Sequence, residues 1–215
     1  MLDRKEGYAM AFYEYLVESF GYNEPIMMNE IAFKKYSKPW ISKELADLCA
    51  CGKIIRFEKG VYYVPKMTAL GPSKLNPQKI IEKRSIAAGD GRNGYYSGAT
   101  FLNLTGLSTQ VPNIVEIYTN AETAKVREIA VGQIKVLLRR ARTPITKNNV
   151  AVQSFLELMN SVSSSFFDNE RRRITSEYIR QNGISRKDIT KYASVFPDKA
   201  MRTLVESELI YDVTQ

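Results

Sequence analysis

From Arg4 to Phe20 the apolar side chains fall at Tyr8, Ala11, Phe12, Tyr15, Leu16 and Phe20, a three-and-four spacing that gathers them on one helical stripe, and Gly21 ends the run. Beyond a loop containing Pro25, Asn29 is placed to cap a short second helix carrying Ile31, Ala32 and Phe33. Tyr36-Ser37-Lys38-Pro39 reads as a turn. Ser37 or Lys38 then opens a third helix, with Pro39 in its first turn, where a missing N–H is tolerated. Ile41, Leu45, Leu48 and Cys49 form the inner face of that helix and Gly52 stops it. Two β-branched and aromatic runs, Ile54-Ile55-Arg56-Phe57 and Val61-Tyr62-Tyr63-Val64, are joined by Glu58-Lys59-Gly60 as a hairpin, and Pro65 closes the unit. Helix, helix, turn, helix, hairpin is the order of a winged helix-turn-helix, expected here over residues 1–66.

The pattern changes after Pro65. Gly71, Pro72, Ser73 and Pro77 mark residues 67–77 as a linker, and Asn76-Pro77 opens a helix through Ile80, Ile81 and Arg84. Gly89-Asp90-Gly91-Arg92-Asn93-Gly94 lacks the Gly-Lys-Ser/Thr ending of a phosphate-binding loop and reads as a tight turn. Ser97-Gly98 caps a short helix with Ala99, Phe101, Leu102 and Leu104; Ile114 to Thr119 is a strand; Arg127 to Arg139 is a pair of strands turning near Gly132-Gln133. Asn149 caps a helix with Val152, Phe155, Leu156 and Met159 on its inner side. From Asn169 onward the chain is helical, with a capping box at Ser185-Arg186-Lys187-Asp188 and a helix start at Pro197. The fold class expected is α+β: an N-terminal winged helix-turn-helix followed by a mixed α/β domain with a helical tail over residues 75–215.

Charge sharpens this division. Residues 3–30 hold two basic side chains against six acidic ones, a balance of −4; residues 31–65 hold seven against three, a balance of +4. The turn, third helix and wing are thus the half suited to a polyanion, and the candidate DNA contacts are Lys34, Lys35, Ser37, Lys38, Trp40, Lys43, Arg56, Lys59 and Tyr62. Trp40 falls off the inner stripe and either touches a phosphate or base edge or packs under the wing. Tyr62 and Tyr63 alternate along a strand, so one is expected inside and the other exposed. The whole excess of the 215-residue chain, +8, lies beyond residue 65, where Arg139, Arg140, Arg142 and Lys147 form a second basic patch. Arg171-Arg172-Arg173 reads as a solvated helix start.

The chain contains no histidine, which removes Ser-His-Asp and Cys-His nucleophile arrangements and the commonest general base. Ser97 is therefore read as a cap rather than a nucleophile. Cys49 and Cys51, the only cysteines, are one residue apart on a helix and read as small core or boundary residues rather than a disulfide or half of a zinc site. A metal-dependent nuclease needs a carboxylate grouping such as Asp-x-Glu-x-Lys on adjacent strands; here the strands supply only Glu116 and Glu128. The expectation is a non-enzyme with no catalytic residue, cofactor or metal. No apolar run reaches the roughly 20 residues that span a bilayer, and no signal-peptide core follows Met1, so a cytoplasmic location and no membrane partner are expected.

Two blocks resemble the AbiEi-type antitoxins, the transcriptional-regulator half of type IV toxin–antitoxin operons. One is Leu45-Ala46-Asp47-Leu48 with Gly52-Lys53-Ile54-Ile55-Arg56 and Gly60-Val61-Tyr62-Tyr63-Val64-Pro65. The other is Tyr95-Tyr96-Ser97-Gly98-Ala99-Thr100-Phe101-Leu102 with Gly106-Leu107-Ser108-Thr109-Gln110-Val111-Pro112 and the strand to Thr119. Many relatives have His-Gly-Leu where this chain has Thr105-Gly106-Leu107, which marks a divergent subfamily. The resemblance implies a repressor of its own operon that binds inverted repeats of double-stranded DNA in its promoter. It also implies a C-terminal domain that antagonises a nucleotidyltransferase-like toxin in an abortive-infection system. A winged-helix regulator whose C-terminal domain senses a small ligand is the alternative.

Overall fold

The first helix, α1 (Leu2–Phe20), buries Phe12 and Leu16 completely and stops where Gly21 takes a left-handed φ of 80°. The computed structural model describes residues 2–33, 36–88 and 91–214, and the chain divides into two units, Met1–Ile80 and Ile81–Gln215. None of the described helices is long and apolar enough to cross a membrane.

In the first unit, β1 (Ile26–Met27) and a 3-10 turn (Met28–Glu30) precede α2 (Lys38–Ala50), the hairpin β2 (Ile55–Glu58) and β3 (Val61–Tyr63), a second small hairpin β4 (Met67–Thr68) and β5 (Gly71–Pro72), and α3 (Pro77–Ile81). β3 is central in a three-stranded sheet of order β1-β3-β2, with Ile26 opposite Tyr62 and Ile55 opposite Tyr63. The helix expected around Ile31, Ala32 and Phe33 does not form over those residues. Ile31 is extended (φ −72°, ψ 112°), and Ile31 and Phe33 are buried while Ala32 is exposed, the period-two pattern of extended chain. The Ala32 N–H donates to the Tyr15 hydroxyl at 3.0 Å, a partner that replaces the helical carbonyl. Tyr62 and Tyr63 are both buried: they point to opposite faces of β3, Tyr62 into the core of the unit and Tyr63 against the Leu75 backbone.

The segment expected as a linker is anchored. Ser73 exchanges hydrogen bonds with Lys66 at 2.9 Å in both directions and donates its hydroxyl to Asn23 at 2.6 Å, Leu75 is buried, and Lys79 pairs with Glu24. The boundary between the two units consequently falls at Ile80/Ile81 and not within residues 67–74.

The second unit follows α3 with a π-helical turn (Glu82–Ile86) and the short pair β6 (Ala87–Ala88) and β7 (Gly91–Arg92); Gly89 and Asp90 of the glycine-rich turn lie outside the described residues. Then come β8 (Gly94–Ser97), α4 (Gly98–Leu104), β9 (Ile114–Thr119), β10 (Val126–Val131), β11 (Ile134–Arg140), α5 (Val150–Ser161), α6 (Asn169–Gln181), α7 (Arg186–Ala193) and α8 (Asp198–Glu206). The sheet order is β10-β11-β9-β8, antiparallel except for the parallel pair β9/β11. The mixed α+β class holds. Val152, Phe155, Leu156 and Met159 on α5 are buried and join Phe101, Ile179, Ile189, Leu204 and Leu209 in one core that unites α4 with the helical tail. Ser185 and Asp188 form a reciprocal capping box. Asn149 stands at the cap of α5, but its side chain pins the preceding loop instead, accepting from Thr146 and donating to Pro144 and Tyr192.

Between sheet and α5 lies a polar cluster. Tyr95 and Tyr118 sit opposite one another on β8 and β9 with rings stacked at 5.4 Å. The Tyr118 hydroxyl donates to the buried carboxylate of Glu157 at 3.2 Å, and Arg142 donates to the other Glu157 oxygen at 2.9 Å. The Tyr95 hydroxyl is buried with no hydrogen-bond partner among the described residues. Burial first, then the Glu157 charge, pushes both phenols above their usual pKa.

Tyr95→Phe is expected to be neutral or to stabilise by up to about 1 kcal/mol, since it removes an unsatisfied buried group, whereas Tyr118→Phe costs about 1–2 kcal/mol by taking a donor from Glu157. Chemical denaturation of both variants checks this, and a larger cost for Tyr95→Phe would contradict it. Because the folded-state values are raised, the stability these phenols contribute is fully present below the unfolded pKa of about 10 and is lost as pH rises through the higher folded values. Tyr95→Phe therefore flattens the alkaline loss of stability.

Candidate functional site

α2 begins where Pro39 fixes the first turn, and its inner face, Ile41, Leu45 and Leu48, is buried against α1 and the sheet. The opposite face, recurring at Pro39, Ser42, Lys43, Ala46, Asp47 and Ala50, is exposed. Most of these side chains are short, Lys43 is the cation among them, and Asp47 sets one carboxylate beside it. Ser37 is the cap residue, exposed and without a side-chain cap hydrogen bond, and Lys38 is exposed beside it. Gly52, with φ 73°, turns the chain into β2, which brings Arg56 and, at the hairpin turn, Lys59 to the surface. The Arg56 Nε reaches the carbonyl of Glu58 at 3.4 Å across a bulge in the strand. Lys53 lies over the ring of Tyr13 at 5.4 Å.

The other predicted residues separate from this set. Trp40 is half-buried in an aromatic cluster, stacked on Tyr36 at 4.0 Å and on Phe33 at 5.9 Å and edge-on to Phe12 at 5.5 Å. Tyr62 is buried under the sheet and lies outside the exposed set. Lys34 and Lys35 lie outside the described residues. Cys49 is half-buried, with its thiol pKa raised by burial, and Cys51 is exposed; neither is in a disulfide.

In the second unit, Arg139, Arg140 and Arg142 line a cleft of about 520 Å³ together with Tyr118, Lys125 and Val195. Lys147 is exposed on the following loop and does not line it. Arg139 pairs with Glu116 at 3.4 Å and Arg142 with Glu157 at 2.9 Å. The Arg142 guanidinium also lies 5.6 Å from the Tyr118 ring centroid and 5.3 Å from that of Phe196. Arg140 reaches the carbonyl of Thr123, at 3.4 Å, and neither it nor Lys125 has an ion-pair partner among the described residues. Sequence reasoning misses Lys125, although the signal is present: a hairpin turning at Gly132-Gln133 sets Val126 opposite Arg139, and so Lys125 beside Arg140.

Glu116 and Glu128, the strand carboxylates weighed for metal chemistry, lie in one register row on β9 and β10 with Leu137 of β11 between them, and Glu116 is engaged by Arg139. Among the described residues no three His, Cys, Asp or Glu side chains are grouped to hold a metal. Ser97 stands at the cap position of α4, its buried hydroxyl without a hydrogen-bond partner among the described residues. Arg171, Arg172 and Arg173 each pair with a carboxylate, of Asp168, Glu208 and Glu177. A second cavity, of about 400 Å³, lies between α4, α5 and α6 and is walled by Phe101, Leu158, Ile174 and Tyr178.

No curated protein matches this chain. A family model does, over residues 26–181, from β1 in the first unit to the end of α6 in the second. That span is well over half of the chain, and the protein belongs to DUF6088, a family of unknown function.

Proposed function

We propose that the first unit is a winged helix-turn-helix that binds double-stranded DNA, and that the protein is a transcriptional repressor of its own promoter. The observation that carries this reading is the exposed face of α2, where Lys38 and Lys43 stand among mostly short side chains with Asp47 as the one carboxylate, followed directly by a hairpin bearing Arg56 and Lys59. A recognition helix must enter a major groove about 12 Å wide, which favours short side chains on the entering face and cations at its margins for the phosphates. Support also comes from the sheet order β1-β3-β2, which is the order of a winged helix, with the 3-10 turn and extended chain of residues 28–33 standing where the second helix of the motif is ordinarily found. The resemblance to AbiEi-type antitoxins extends the reading: the second unit antagonises a nucleotidyltransferase-like toxin encoded beside it, without catalysis of its own, and the protein works in the cytoplasm.

A test of the DNA face is direct. Replacing Lys38 and Lys43 with Ala is expected to weaken binding to the chain's own promoter and to reduce the slope of log affinity against log salt by roughly 1 for each phosphate no longer neutralised. Fluorescence anisotropy across a salt series measures both, and unchanged affinity and slope would place the DNA face elsewhere. The antitoxin extension is tested separately, by co-expression with the neighbouring toxin gene. The Lys38→Ala/Lys43→Ala variant is expected to rescue growth while losing repression of a promoter fusion. Loss of both together would mean that neutralisation runs through repression.

A further inference from the structure

β9 and β11 are parallel neighbours in an otherwise antiparallel four-stranded sheet, and the cleft lies past their carboxyl ends, at Tyr118 near the end of β9 and at Arg139 to Arg142 closing β11. The space outside the carboxyl ends of parallel strands is where open α/β sheets receive ligands, because the chain leaves the sheet there and backbone and side chains converge on a crevice. Four cations line this crevice, Lys125, Arg139, Arg140 and Arg142. Two carboxylates, Glu116 and Glu157, compensate two of them, which leaves an excess of two positive charges. The compensated arginines are held in place rather than silenced: Arg139 spends part of its donor fork on Glu116, and Arg142 spends part on Glu157 and the Tyr118 hydroxyl, with the rings of Tyr118 and Phe196 near its guanidinium. Lys125 and Arg140 hold the unspent charge.

From this arrangement we propose that the cleft binds a small phosphate monoester of about nucleotide size. The dianionic phosphate sits against Arg140 and Lys125 and takes further donors from Arg139, and its organic part lies along Val126 and Val195. An excess of two charges matches a phosphate dianion, and the forked guanidinium matches its oxygens in geometry. Size favours a small ligand over a duplex: about 520 Å³ falls within the roughly 300–1,000 Å³ of small-molecule sites, whereas a DNA backbone presents a convex surface. This proposal is independent of the DNA-binding reading of the first unit, and it gives the protein a ligand through which a metabolic signal is received.

The experiment is calorimetric titration of the full-length chain with AMP, inorganic phosphate, adenosine and a 20-base-pair duplex of random sequence, repeated on Lys125→Gln/Arg140→Gln. Both side chains are at the surface and neither forms an ion pair among the described residues, so the variant is expected to keep the thermal midpoint and far-ultraviolet spectrum of the parent. AMP is expected to bind saturably at one site per chain, adenosine to give no heat, and the double variant to lose at least tenfold in AMP affinity. Inorganic phosphate binding as tightly as AMP, and lost in the same variant, supports the phosphate subsite with free phosphate as its source. Absence of saturable binding by either phosphate compound overturns the proposal, as does AMP binding that the double variant leaves unchanged. Binding of the duplex alone through Lys125 and Arg140 also overturns it, since the cleft would then serve the backbone of a nucleic acid.

Discussion

A carboxylate taken out of water must be met by charge and hydrogen bonds, or it destabilises the fold by several kilocalories per mole. Glu157 imposes that requirement on the second unit. Its side chain, on α5, is almost wholly buried, and it is answered by Arg142 from the segment after β11, by Tyr118 from β9 and by Asn160 one turn along its own helix. Three parts of the chain distant in sequence are thereby fixed to one point. The orientation of Arg142 follows from this contact, and with it one wall of the cationic cleft. The same contact fixes the Tyr118 ring, on which its cross-strand partner Tyr95 stacks with its own hydroxyl buried and without a partner among the described residues.

The first unit is held by different means. Its core is apolar and strongly aromatic: Phe12 and Tyr15 of α1, Phe33, Tyr36 and, on α2, Trp40 have ring contacts with centroids 4.0–6.3 Å apart. Residues 31–33, which follow the 3-10 turn, leave the helical pattern and still bury Ile31 and Phe33. Where rings supply the packing, the backbone is free to leave the helical pattern.

That difference explains what can be read from the sequence. Elements with a long, regular period are legible: α1, α2 and α5 from three-and-four spacing, β9 from its β-branched run, β10 and β11 from the turn between them. The capping box at Ser185 is legible because two side chains three residues apart define it locally. Ile31-Ala32-Phe33 misleads, since a three-residue apolar group fits either period and its choice rests on Tyr15, seventeen residues from Ala32. β1 is two residues beside a proline and exists only because β3 pairs with it. Tyr62 and Tyr63 are both buried because the core covers one face of β3 and the Leu75 segment meets Tyr63 on the other, which no local alternation encodes. At the candidate cleft, the arginine cluster is legible as composition. Its compensation by Glu116 and Glu157 is not, because those pairings span 23 and 15 residues and depend on the fold.

One edge of the four-stranded sheet carries a consequence for the behaviour of the protein at high concentration. β10 is an edge strand, and Val126, Arg127 and Glu128 along it are exposed. A bare strand edge is a template on which another chain can extend the sheet, the first step toward aggregates. Here that edge places a cationic side chain beside an anionic one, and Arg127 is drawn back by Glu122, itself held by the backbone N–H groups of Thr123 and Ala124. An incoming strand would have to bury these charges or break the pair. The ion pair at the start of β10 therefore raises the cost of pairing this edge with another strand.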